Sequence, residues 1–147
     1  MAKARAFNIL TAMSVFNKVL GKERIQDCVR NAFDNILSQM QEDVVAVDRQ
    51  GRWNDITGNL TKSIIWLTVT PMKVASKPTP EGIITVTNTD SNMIFGFLIA
   101  GMSYAINVEL RDNRDVLKGT VAKWRKKIPR ILIISIQKCI RGNLKNA

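Results

Sequence analysis

The side chains able to do chemistry in this sequence are few. Asp55, Glu109, Asp112 and Asp115 are the best candidates for acid–base work or for holding a divalent cation. The 147 residues include no histidine, which removes the commonest general base and the commonest metal ligand. No DxD cluster and no phosphate-cradling glycine loop accompanies the carboxylates. Asp112 and Asp115 are more simply residues that start a helix, where side-chain oxygens accept free N–H groups. The pattern predicts a protein that is not an enzyme, with no catalytic, cofactor-binding or metal-binding residues.

Cys28 and Cys139 each fall on the apolar side of a helical pattern. Both therefore read as buried free thiols of a cytoplasmic protein, with a disulfide as the alternative. Charge is the sharper clue. Lys and Arg number 22 against 12 Asp and Glu, a net charge of +10. Residues 101–147 hold eleven of those cations and only three of the acids. Such asymmetry points to a nucleic-acid backbone or an acidic protein face. Lys118, Lys123, Lys126, Lys127 and Arg130 are the candidates, on the polar side of the last predicted helix. The same run, "KWRKK", also reads as an ordinary solvated helix face.

The elements that must position these groups follow from hydrophobic period. Ile25, Cys28, Val29, Ala32, Phe33, Ile36, Leu37, Met40 and Val44 recur at i, i+3, i+4 and i+7. They predict an amphipathic helix over 24–47, roughly 35 Å long at 1.5 Å per residue. Before it, Lys3 and Arg5 precede "AFNILTAMSVF", which Asn8, Thr11 and Ser14 interrupt; Phe7, Leu10, Met13, Phe16 and Leu20 form a helical stripe rather than a targeting segment. No run approaches the ~18–20 apolar residues that span a bilayer. Residues 64–70 are rich in β-branched side chains and predict a strand, paired in a hairpin with 83–89 across a loose loop, "SKPTPEG". The apolar run 93–99 predicts a strand covered on both faces. "SYAINVEL" predicts a short helical turn.

The last helix carries Leu117, Val121, Trp124, Ile128, Ile131, Leu132, Ser135 and Cys139 on one face, with Pro129 expected to kink or restart it. Ile133, Ile134 and Ile136 make its second half apolar nearly all round, so Ile133 and Ile134 are expected in a subunit interface. The expected architecture is one α+β domain over 1–147. It is a small antiparallel sheet of about three strands, packed with long N- and C-terminal amphipathic helices.

Residues 53–66, "WNDITGNLTKSIIW", place two of the three tryptophans around a polar turn. Thr57 is expected to cap the turn and Gly58 to permit it, with Leu60 and Ile64 at i, i+4 on the helical turn that follows. Trp53 and Trp66 are expected to clamp it to the helical layer.

This stretch resembles the W-x-D-x-T-G-N-L signature of a family of small tailed-bacteriophage neck proteins, which join head to tail or complete the tail and are often described as minor tail proteins. "AGMSYAINVEL" followed by "RDVL" resembles the family's second block, A-G-M-x-Y-A-x-x-V-E with D-V-L, and the order of elements agrees. Trp53, Asp55, Thr57, Gly58, Asn59, Leu60, Ser63 and Ile64 match the first block. Ala100, Gly101, Met102, Tyr104, Ala105, Val108, Glu109, Asp115, Val116 and Leu117 match the second. Asn107 departs from it, standing where the family usually has an aromatic residue. The resemblance implies a structural virion protein, made in the host bacterium's cytoplasm. It would form a homo-oligomeric ring of six- or twelve-fold symmetry against portal, adaptor or tail-tube proteins, with packaged DNA contacted non-specifically and no membrane. A stand-alone basic nucleic-acid-binding protein is the alternative, though no recognition motif accompanies the charge.

Overall fold

The computed structural model describes residues 21–46, 57–110 and 116–145. Trp53, Asp55, Asp112, Asp115 and the helical stripe expected over 7–20 lie outside the described residues.

Helix α1 spans Lys22–Val45, two residues earlier than its hydrophobic period predicts at each end. The short helix α2 (Asn59–Ser63) leads without a break into strand β1 (Ile64–Val69). A hairpin follows, β2 (Val74–Thr79) and β3 (Gly82–Thr87), and then β4 (Phe95–Ala100). Helices α3 (Ala105–Leu110), α4 (Lys118–Arg125) and α5 (Ile128–Lys145) complete the described chain. The class is α+β, as expected. The sheet is different: among the described residues four strands form two antiparallel pairs, β1 with β4 and β2 with β3.

The expected hairpin between 64–70 and 83–89 is not formed. β1 pairs instead with β4, in a register running from Ile64 opposite Ala100 to Val69 opposite Phe95. "SKPTPEG" is mostly strand rather than loop. Pro78 sits within β2 opposite Ile83, and only Pro80 and Glu81 turn the chain. A two-stranded pair leaves each strand a free edge, which is where proline's missing N–H costs least. The strand buried on both faces is β1, not β4: Ile64, Ile65, Leu67 and Val69 are all buried, whereas β4 is half-buried.

The core lies on α1. Ile25, Cys28, Val29, Ala32, Ile36, Leu37 and Met40 pack with Leu132, Ile136 and Ile140 of α5, while Trp66 and Leu98 cover the cluster from the sheet. Val44, at the far end of α1, joins a second cluster with Leu60, Ile64, Met102, Ala105 and Val116. Pro129 acts as expected. The helix breaks at Lys126–Lys127 and restarts at Ile128, placing the ring in a first turn that needs no N–H. The break resets the helical phase. Leu132, Ile136 and Ile140 carry the buried stripe of α5, and Val121 is left 44% exposed.

Cys28 and Cys139 are not free thiols. They form a disulfide that joins α1 to α5 across 111 residues of sequence. The two helices pack face to face, so two cysteines on their apolar stripes meet; periodicity within one helix says nothing about which stripe faces which.

A loop of this size is restricted by the cross-link chiefly in the unfolded chain, at a stabilisation of roughly 3–5 kcal/mol. Reductant should therefore lower the urea midpoint of the parent and leave a Cys28→Ala/Cys139→Ala variant unaffected. Two thiols titrating in the denatured, unreduced parent would contradict the bond.

Candidate functional site: the junction of the two sequence blocks

The two blocks read from sequence, about 40 residues apart, are one structure. Thr57 starts the first. Its Oγ1 accepts the Asn59 N–H at 3.3 Å, a local turn rather than a cap of the following helix. The residue at the helix boundary is Gly58, held at φ +71°. That left-handed conformation explains the glycine: a Cβ would be strained there whatever the space. Leu60 and Ile64 are both buried, but Ile64 already belongs to β1, so the expected i, i+4 helical pair is a helix residue beside a strand residue.

Strand pairing brings the second block alongside. Ile64 lies opposite Ala100, and the Gly101 N–H donates to Ser63 O at 3.0 Å. Leu60, Ile64, Met102 and Ala105 then share one buried cluster. Gly101 is needed for close approach. A Cβ there would stand 2.7 Å from Thr79 Cγ2 and 3.3 Å from Ser63 O. The hairpin tip holds the same corner, because the Glu81 carboxylate accepts Ser103 N–H at 2.9 Å and Ser103 O–H at 3.0 Å. On the helical side, Gln41 Nε2 donates to Ile64 O at 2.6 Å, fixing α1 to the start of β1.

Glu109, a candidate acid from sequence, has a different role. Its carboxylate accepts the backbone N–H groups of Val116, of Leu117 at 2.9 Å and of Lys118 at 2.6 Å. These are the unpaired donors at the start of α4, where a negative charge also meets the positive end of the helix dipole. The glutamate of the second block thus caps the helix that begins at Lys118. Ala105 is buried, and Tyr104 is 38% exposed.

Trp66 is half-buried against the main core, with Lys77 Nζ 3.7 Å above its ring. Burial holds the Lys77 pKa below the ordinary lysine value, and the Asp34 charge opposes that shift.

The basic candidates divide. Lys123 donates to Asp43 Oδ2 at 2.9 Å, and Trp124 Nε1 donates to the same oxygen at 2.8 Å, so both tie α4 to α1. Lys126, Lys127 and Arg130 are exposed around the break between α4 and α5, with Lys127 Nζ 5.7 Å from the Trp124 ring. Lys118 is exposed at the start of α4, on the rim of a concavity between α3 and α4. Ile133 and Ile134 are 44% and 40% exposed on α5, whereas Ile136 is in the core. Among the described residues, no group of three or more Cys, Asp or Glu could hold a metal ion, and no helix is long and apolar enough to cross a membrane.

Sequence reasoning did not single out Asn88, which is buried. Its Nδ2 donates to Val69 O, Thr70 O and Met93 O at 3.1, 3.1 and 2.7 Å, joining the ends of β1, β3 and β4. A lone asparagine after a strand carries no signal for that role until its neighbours are known.

Glu109→Ala should cost about 1–3 kcal/mol, because it leaves the start of α4 without its acceptor. Gly58→Val should cost at least ~1–2 kcal/mol through its left-handed backbone, and Gly58→Asn less. Urea denaturation measures both; parent-like midpoints would show that neither group is structural.

No protein-family model, curated protein or solved structure matches the chain.

Proposed function

We propose that the protein is a structural component of a tailed-phage virion. It assembles into a ring at the neck, between portal and tail, where it presents docking surfaces and leaves a channel for DNA. The observation that carries this reading is the convergence of the two phage-like blocks. Residues 57–64 and 100–109 meet through one strand register, one backbone hydrogen bond and one apolar cluster. Motif residues used this way hold a shape, as a virion component requires, and the side-chain oxygens of Thr57, Ser63 and Glu109 are occupied in doing so.

The surface suits assembly. Ile133 and Ile134 stand exposed side by side in sequence on α5, and a subunit contact would cover them. A ring needs a head-to-tail interface, in which one patch meets a different patch on the next copy. Lys126, Lys127 and Arg130 form the exposed basic group that would face DNA in the channel, holding phosphates without reading bases. Lys123 contributes less there because its ammonium is directed to Asp43.

Negative-stain microscopy of the purified protein, alone and with its neck partners, should show closed rings, and Ile134→Asp should abolish them. A strictly monomeric protein absent from purified virions would sink the proposal. Charge reversal at Lys126, Lys127 and Arg130 should leave rings and neck attachment intact while weakening non-specific DNA binding. Neck attachment lost with DNA binding unchanged would place those cations against an acidic ring instead. Tight DNA binding by a monomer would favour a stand-alone nucleic-acid-binding protein.

A further inference from the structure

Between α3 and α4 lies a concavity of about 670 Å³. Val116 and Leu117 lie at its base, buried and half-buried. Ile106, Leu110 and Val121 stand around it, 62%, 73% and 44% exposed. Large aliphatic side chains exposed together around a hollow are costly in water, and a partner that buried them would remove that cost. They mark a surface that is covered in use.

The charges lining the hollow select the occupant. Glu109 is turned to the start of α4, where three N–H groups engage its oxygens. Among the described residues that line it, the other two ionisable side chains are Lys118 and Arg125, both cationic and both exposed. A second copy docking through Ile133 and Ile134 would bring Arg130 and Lys138 of the same helix toward these cations. Like charges disfavour that pairing. An enclosed small molecule is disfavoured too, because three of the apolar groups stand at the surface and would cover an occupant from one side only. That is how a helix is held in a groove, by apolar side chains at i, i+3 or i+4, and i+7.

We infer that the α3–α4 hollow is a docking groove for an amphipathic helix of a partner protein, one whose apolar stripe is flanked by carboxylates. Ile106, Leu110 and Val121 grip the stripe, and Lys118 and Arg125 pair with the acids. The inference stands on the groove alone and does not require the ring.

Two fluorescein-labelled helical peptides test it: one with a leucine stripe flanked by glutamates, the other identical but with lysines in their place. Fluorescence anisotropy should show the acidic peptide saturating the parent protein and the basic peptide binding about tenfold or more weakly, as expected when like charges replace two ion pairs. Ile106→Asp and Leu110→Asp should each weaken the acidic peptide by about tenfold, the scale of losing one apolar anchor. Both side chains are exposed, so the melting temperature should not move and lost binding cannot be assigned to unfolding. Lys118→Glu/Arg125→Glu should reverse the preference between the peptides. Equal binding of both peptides, binding indifferent to these substitutions, or no saturation below about 1 mM would overturn the inference. Sedimentation of the parent and Leu110→Asp covers the other occupant: if the substitution dissolves a parent oligomer, a second copy fills the groove and the inference fails.

Discussion

The described core of this protein is arranged around the burial of one helix. Ile25, Val29, Ile36 and Met40 of α1 are almost inaccessible, and so are Cys28, Ala32 and Val44. A stripe along a helix of 24 residues is longer than a two-stranded pair can cover, since six-residue strands reach only about 20 Å at 3.3 Å per residue. The remainder is covered by α5, which lies along α1 and is bonded to it through Cys28 and Cys139. With full burial of one Ile or Leu contributing roughly 1.5–3 kcal/mol, these contacts supply the main drive to assemble the parts. The position of β1 follows, because it too lies on α1, and the position of β4 follows from its register with β1.

Polar side chains then do what longer strand ladders do in larger sheets. The two strand pairs are not hydrogen-bonded into one sheet. Asn88, Glu81, Gln41 and Glu109 each join segments at the ends of these elements by donating to, or accepting from, backbone groups. Such groups would be costly if buried without partners, so the ties specify geometry as well as stabilise it. Two motif blocks that are separate in sequence are made rigid against each other in this way. Of these ties, Glu109 is the one at the α3–α4 hollow, where it holds α3 to the start of α4.

Described cations of the basic third stand in three settings. Asp43 draws Lys123 and Trp124 onto α1, the α4–α5 break displays Lys126, Lys127 and Arg130, and the hollow takes Lys118 and Arg125. Cations in these three settings differ in what they can reach. One group is committed within the molecule, one is open to a polyanion, and one stands beside exposed aliphatic side chains. A net charge of +10 therefore overstates how much positive surface is available to any one partner.

The helices were legible in the sequence because their signals are local. The i, i+3, i+4 stripe from Ile25 to Val44, the restart at Pro129 and the tight turn at Gly58 each depend on residues within a turn or two. The α+β class was legible from the β-branched runs for the same reason. The pairings were not. β1 takes β4 rather than the nearer hairpin strand, and Cys28 takes Cys139, because both choices are made where α1 brings distant segments together. The role of Glu109 was hidden likewise: a carboxylate before a helix shows its charge in the sequence, but its oxygens are engaged only where the first backbone N–H groups of α4 come within reach of α3. Local backbone preference operates within a few residues, whereas burial compares every apolar surface with every other, and only the folded chain carries out that comparison.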